Sequence, residues 1–331
     1  MNCKKHKILK PIIIIAAVFV LLVFGGFMAY NAEVSSYFNN SIKAFAIPDI
    51  DNGYIPQGIA YDPASDNIFL TGYMGNGSES PIYILDRKTG SFIKKIKMQD
   101  EAGQKFNGHS GGLSALGDKV YVAGSTKACM YVFSLKELLE AADGSSVAAE
   151  QKISLKTADD FMRVSFTSCD DSLIYAGEFH KGAIFYTHAS HLVEDGLVKQ
   201  KAYLMGFSVD GDSATLGKVY SIPDSIQGAC FDGDYVYLSQ SKGVFAGRIL
   251  AYNLKDIYQA GTKIVLGKEI PLYILSEKNA TKITPIPPMC EELVTVDGKL
   301  YTIFEAASNR YIIGKFMGLK SVYVTPVEFF R

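Results

Sequence analysis

Five short polar stretches, each standing just before a run of small residues, hold the side chains best suited to chemistry. They are Gln57, His109 with Ser110 and Gly111, Arg163 with Val164, Gln227, and Glu291 with Glu292. A second set follows each run at a similar remove: Tyr73, Ser125, Glu178 with His180, Gln240, and Glu305 with Asn309 and Arg310. If the chain brings these positions together, they form a polar pocket, and pockets with a few convergent polar groups are where ligands bind. Glu178, Glu291 and Glu305 would suit a hard cation such as calcium, which takes oxygen ligands. Crowded carboxylates can instead hold one of their number protonated as an acid. With His109 or His180 as base, that is the equipment of a hydrolase or lyase. Axial polar groups also serve a plainer purpose, hydrogen-bonding to neighbouring backbone and channel water.

The elements that must position them recur. GIAYDPASDNIFLTGY begins at Gly58, GLSALGDKVYVAGS at Gly112 and SFTSCDDSLIYAGEF at Ser165, then GACFDGDYVYLSQS at Gly228 and ELVTVDGKLYTIFEA at Glu292. Their starts lie 54, 53, 63 and 64 residues apart. Each copy reads as two strands joined by a turn of Asp, Asn and Gly: Asp66-Asn67, Gly117-Asp118, Asp170-Asp171, Gly233-Asp234 and Asp297-Gly298. These acidic pairs are turn chemistry before they are calcium ligands. A third apolar run follows at 81–85, 128–133, 182–187, 247–252 and 310–314. A fourth comes at 91–98, 150–156, 216–222 and 268–275. Short helix-like segments at 134–144, 188–196 and 253–261 each close on a Gly, with Ser134 and Asn253 as N-caps. Four strands per repeat at this period predict an all-β protein, a β-propeller of four-stranded blades. Five blades are expected, six being the alternative if a degenerate copy lies in 186–226 or 252–290. KAFAIP (43–48) resembles KVYSIP (218–223), so the N-terminal strand is expected to complete the last blade and leave no open edge.

GHSGG (108–112) fits the G-x-S-x-G nucleophile elbow. An elbow needs a strand before the serine and a helix after it. Here Ser110 leads into an inner strand, so the glycines are expected to serve close packing at the axis.

The pattern P-x-G-I-A-x-D (56–62) followed by N-I-F-L (67–70) resembles propellers of the NHL and YVTN repeat type, within the quinoprotein-like and gluconolactonase-like superfamily. The resemblance covers about 46–331 and works at the level of the repeat. PPMCEELVTVDGKLYTIFEAASNRY (287–311) is similar to a segment of exported, membrane-anchored bacterial propellers. The resemblance implies an anchored extracytoplasmic propeller and brings no substrate with it. Two departures bear on activity. Gln57 stands where gluconolactonase-like enzymes begin with a metal-binding Glu, and the chain has no Trp for the tryptophan-docking motifs of quinone-dependent dehydrogenases.

A net charge of −1, from 33 basic and 34 acidic residues, with no basic stripe in the repeats, argues against nucleic acid as partner. Lys4, Lys5, Lys7 and Lys10 precede an uncharged apolar run at 11–30, long enough for a bilayer. This predicts a basic cytoplasmic tail (1–10), an uncleaved single-pass signal anchor (11–30), a linker (31–45) and an extracytoplasmic propeller (46–331). Secretion after signal cleavage is the alternative, although no clean A-x-A site follows the run. Cys129, Cys169, Cys230 and Cys290 fall on the exported side without a disulfide framework. The leading functional reading is a binding module whose funnel face takes a small molecule, an envelope polymer or another exported protein. The competing reading is the carboxylate hydrolase or lyase.

Overall fold

The computed structural model describes residues 25, 28–125, 127–196, 198–211, 213–241, 243–315 and 317–331. Five antiparallel sheets each open on one of the repeat copies. Blade I runs Tyr54–Asp62, Asn67–Met74, Pro81–Asp86 and Phe92–Gln99, from axis to rim. Blade II runs Leu113–Leu116, Lys119–Ala123, Cys129–Ser134 and Gln151–Ser154. Blade III runs Val164–Cys169, Ile174–Glu178, Ala202–Asp210 and Ser213–Ile222. Blade IV runs Ile226–Asp232, Tyr235–Gln240, Gly247–Asn253 and Lys282–Ile286. Blade V takes Cys290–Val296, Lys299–Phe304 and Ser321–Pro326, and its rim strand is Ile42–Ala46 from the other end of the chain. The fold is thus a five-bladed propeller whose ring is closed by both termini.

Second strands are covered on both faces, so their sequences are almost continuously apolar. Ile68, Phe69 and Leu70, for example, are all fully buried. Five apolar cores form, each between two neighbouring blades, and one of them joins Phe45, Val296 and Tyr301 of blade V to Ile59, Ile68 and Tyr83 of blade I. At the axis the inner strands touch one another around the ring, which is where the small residues are needed. A Cβ on Gly58 would stand 2.8 Å from Gly112 Cα, and one on Gly228 would stand 2.6 Å from Glu292 Cα.

Several expected runs find other uses. The third strand of blade III is Ala202–Asp210, because 182–187 lies in an exposed loop with Ile184, Phe185 and Tyr186 facing solvent. Blade V's third strand is Ser321–Pro326, and the expected run at 310–314 leads into a short helix, Ile312–Lys315. In blade IV the rim strand is Lys282–Ile286. The segment expected there, 268–275, pairs in parallel with the rim strand of blade III at Val219–Ser221. Ser146–Ala148 likewise adds in parallel to blade I, so segments of later blades cover two outer edges. Ser134 caps its helix, Leu135–Glu140, by accepting from the Glu137 amide at 3.3 Å, whereas 189–191 and 254–256 are single 3-10 turns.

Most of the expected anchor, 11–24 with 26 and 27, lies outside the described residues. Among the described residues no helix is long and apolar enough to cross a membrane. The stretch read as a linker is structured: residues 28–40 are helical, and Tyr37 is buried against blade V with its hydroxyl 2.5 Å from Thr302 Oγ1. Ser41 Oγ continues the contact to Thr325 Oγ1 at 2.7 Å. Cys129, Cys169, Cys230 and Cys290 are free thiols.

Candidate functional site

A cavity of about 410 Å³ opens at one end of the axis, and what aims side chains into it is a repeated backbone irregularity. In blades I, III, IV and V the pairing of first and second strands slips near the start of the inner strand: between Pro56 and Gly58, Val164 and Phe166, Ile226 and Gly228, and Cys290 and Leu293. The residues squeezed out of register are Gln57, Ser165, Gln227 and Glu291 with Glu292. A β-bulge bends the strand and re-aims its extra side chain. Gln57, Ser165, Gln227 and Glu291 accordingly all line the cavity. Blade II contributes His109 instead, from the loop ahead of Gly111 and Gly112.

Eight of the sequence candidates line this space: Gln57, His109, Ser125, Arg163, Gln227, Glu291, Glu305 and Arg310. On the acidic side, Glu305 Oε2 accepts from Gln57 Nε2 at 3.0 Å and Oε1 accepts from Tyr311 Oη at 2.7 Å. Glu291 Oε1 accepts from Gln227 Nε2 at 2.9 Å, and the two carboxyl groups also hydrogen-bond to each other. Burial pushes Glu305 up to about 7, against the hydrogen bonds from Tyr311, Glu291 and Gln57 that pull it down. Burial, and then the charge of Glu305, carries Glu291 well above the usual carboxyl range. Near neutral pH the two therefore hold a proton between them, with Glu291 as its donor. His109 stacks on Tyr73 with ring centroids 4.4 Å apart, and its buried Nδ1 has no hydrogen-bond partner. Burial lowers its pKa to about 4, so it enters the site as a neutral imidazole.

The other half of the cavity is cationic and aromatic. Arg163, Lys181 and Arg310 line it beside Phe179, Phe185 and Tyr311. Arg163 donates to Tyr186 O at 3.3 Å, and Arg310 donates to Tyr73 Oη. Among the described residues none of these three cations makes an ion pair, whereas twelve other Lys and Arg side chains do. Lys181, Phe179 and Tyr311 were not legible as site residues, because they stand in loops whose lengths differ from copy to copy.

The remaining candidates stand elsewhere. Glu178 is fully buried and turned away from the axis: Oε1 accepts the Arg163 amide at 3.1 Å, and Oε2 meets the Tyr203 amide at 3.1 Å and His191 Nδ1 at 2.7 Å. The three-carboxylate calcium site expected from Glu178, Glu291 and Glu305 is therefore not assembled. His180 lies behind the wall with Nδ1 3.0 Å from Asp224 Oδ1, a contact without hydrogen-bond alignment. Gln240 is used up between Asp224 O and Arg248. Ser110 is fully buried, donates to Gly72 O and sits 3.3 Å from Thr71 Oγ1, so it is structural and no nucleophile. Glu292 lies deeper on the axis, sealed among the inner strands. Tyr73 and Asn309 border a separate cleft, which Arg310 shares with the axial cavity and where Asn309 Nδ2 donates to Asp51 O at 2.8 Å.

No protein-family model and no curated protein matches the chain. Among solved structures it is similar to Myxococcus xanthus glutaminyl cyclase (10% identity over 79% of this chain and 88% of that one, TM-score 0.43). It is also similar to the PQQ-bound aldose sugar dehydrogenase of Streptomyces coelicolor (12%, 86% and 95%, 0.43) and to BamB from Moraxella catarrhalis (11%, 82% and 85%, 0.35). These likenesses are of fold alone, and one scaffold of this kind hosts unrelated functions.

Proposed function

We propose that the chain is a membrane-anchored, extracytoplasmic propeller that binds a small anionic molecule in its axial cavity. Support for the anchor is the lysine-flanked apolar run at 11–30. The observation that carries the binding reading is the set of three cations, Arg163, Lys181 and Arg310, facing the cavity without carboxylate partners among the described residues. Opposite them, Glu291, Glu305, Gln57 and Gln227 offer a mixed row of donors and acceptors for hydroxyl or amide groups. A compact molecule with an anionic end and a hydroxylated body meets both halves. The volume, about 410 Å³, is that of a small-ligand pocket rather than of a groove for a polymer or a protein.

The test is calorimetry or thermal shift on the full chain in mild detergent, with uronates, sugar phosphates and dicarboxylates against matched neutral sugars. Arg163→Gln or Lys181→Gln should each weaken anion binding about 10- to 100-fold, the worth of one charge-assisted hydrogen bond. Equal response to anionic and neutral compounds would overturn the reading, as would unchanged affinity in both variants. A second reading, hydrolase or lyase, is favoured by the proton shared between Glu291 and Glu305, which supplies a general acid near neutral pH. Turnover of a bound compound that Glu305→Gln abolishes without weakening binding would establish it.

A further inference from the structure

Blade III carries a second cluster, outside the cavity and independent of the binding reading. Asp160 lies in the loop ahead of its inner strand, while His188 and His191 belong to the 3-10 turn Ala189–His191 and its N-cap. Residues three apart on such a turn fall on one side of it. One ligand atom from each of the three lies within 4.8 Å of the other two. Asp160 Oδ1 is 3.1 Å from His191 Nε2 and 3.3 Å from His188 Nδ1. Zinc bonds of about 2.0–2.2 Å place neighbouring tetrahedral ligands roughly 3.3–3.5 Å apart, close to the two spacings Asp160 already makes.

The far side of two ligands is already fixed. Glu178, which as a carboxylate only accepts, faces His191 Nδ1 at 2.7 Å. That holds a proton on Nδ1; Nε2, 3.1 Å from the Asp160 carboxylate, carries a second proton in the metal-free chain, the one an ion would displace. Asp160 Oδ2 accepts the Leu266 amide at 2.8 Å, which leaves Oδ1 for the cluster. A carboxylate behind the histidine and a hydrogen-bonded ligand carboxylate are the outer-shell arrangement of metal sites. His191 is fully buried and Asp160 nearly so, whereas His188 is part-exposed and gives a path from solvent. Its Nδ1 now contacts Ser190 Oγ at 2.7 Å, a hydroxyl that an ion would replace.

We propose that Asp160, His188 and His191 bind a divalent transition metal, zinc foremost, with Glu178 as the residue that orients His191. Two imidazoles and one carboxylate suit zinc and leave a fourth position for water. Because Glu178 also accepts the amide of Arg163, the ion would brace the wall of the axial cavity from behind.

The test is titration of the full chain, untagged, chelator-stripped and in mild detergent, with Zn(II) against a chromophoric competitor, and separately with Co(II) read in the visible. One equivalent of tight Zn(II) binding and an intense tetrahedral Co(II) band are expected. Asp160→Asn and His188→Gln should each remove the band, and His188→Gln changes only a part-exposed side chain. Glu178→Gln should keep the stoichiometry and weaken binding about 10- to 100-fold. Failure to take up one equivalent, or equal uptake by His188→Gln and Asp160→Asn, would overturn the proposal and leave His191 as a charged link between two carboxylates.

Discussion

Replacing Glu292 with alanine tests whether the axis is held by one side chain. Its Oε2 accepts two backbone amides, Ile59 of blade I and Leu113 of blade II, each at 2.9 Å. Glu292 itself belongs to blade V, so one oxygen ties three blades. All three residues are essentially unexposed. Alanine would leave two buried N–H groups without partner or water, at about 1–3 kcal/mol each. The loss is thus about 2–6 kcal/mol out of a net stability of about 5–15 kcal/mol. Glutamine keeps the accepting oxygen. Its NH₂ would replace Oε1, which makes no aligned hydrogen bond although the Thr167 amide is close enough to act on its charge. Glu292→Gln should therefore cost about 1–3 kcal/mol. Urea denaturation of the full chain in mild detergent reads both. With an m-value of about 3 kcal/mol/M, the midpoint should fall by roughly 0.7–2 M for alanine and by half that for glutamine. An alanine variant within 0.2 M of wild type (about 0.5 kcal/mol at the same slope) would refute the reasoning. So would a glutamine variant as damaged as the alanine one, since the shared acceptor would then count for nothing.

Three further outcomes are expected. Glu305 titrates near 7 in the folded chain against 4.5 unfolded, so its stabilising share is complete below pH 4.5 and disappears as pH rises through 7, on the order of 3 kcal/mol in all. The wild-type stability minus that of Glu291→Gln/Glu305→Gln should fall over this window, and a flat difference would mean the pair shares no proton. Gly112→Ala would drive a Cβ into Glu292 Oε1 and should destabilise by about 1–3 kcal/mol, whereas Gly144→Ala, with open space around it, should be costly only through its left-handed backbone. Ser110→Ala should cost about 1 kcal/mol through the lost hydrogen bond to Gly72 O, and an activated-serine phosphonate probe should not label the wild-type chain; labelling at Ser110 would restore the elbow reading.

The repeat was legible because every inner strand must be small and every second strand apolar, whatever the loops do. Closure of the ring by KAFAIP was legible for a related reason: a rim strand has the same neighbours in blade V as KVYSIP has in blade III. Register was not. The bulges that aim Gln57, Ser165, Gln227 and Glu291 depend on one residue of slip, and a period-2 pattern does not reveal which residue is squeezed out. Symmetry alone therefore placed half of the candidates in the cavity and sent Glu178 there too, although its neighbours' amides and His191 hold it behind blade III. The same limit hid Asp160, in the loop ahead of blade III's inner strand, and His188, in a long connection of that blade that folds a turn and hairpin of its own. The third-strand run 182–187 and the rim run 268–275 misled because an apolar stretch in a long connection can cover a neighbouring blade or face solvent as readily as complete its own.

The joining of Ile42–Ala46 to Ser321–Pro326 sets an order of events. During synthesis the strand Ile42–Ala46 emerges with nothing to pair, and it must wait for Ser321–Pro326 before its partner arrives. Blades I to IV can form meanwhile, yet the ring stays an open arc with two sticky margins. A chain stalled or clipped before residue 321 would thus expose both margins together, and a protease or chaperone that samples nascent edges would see the final eleven residues as the latch.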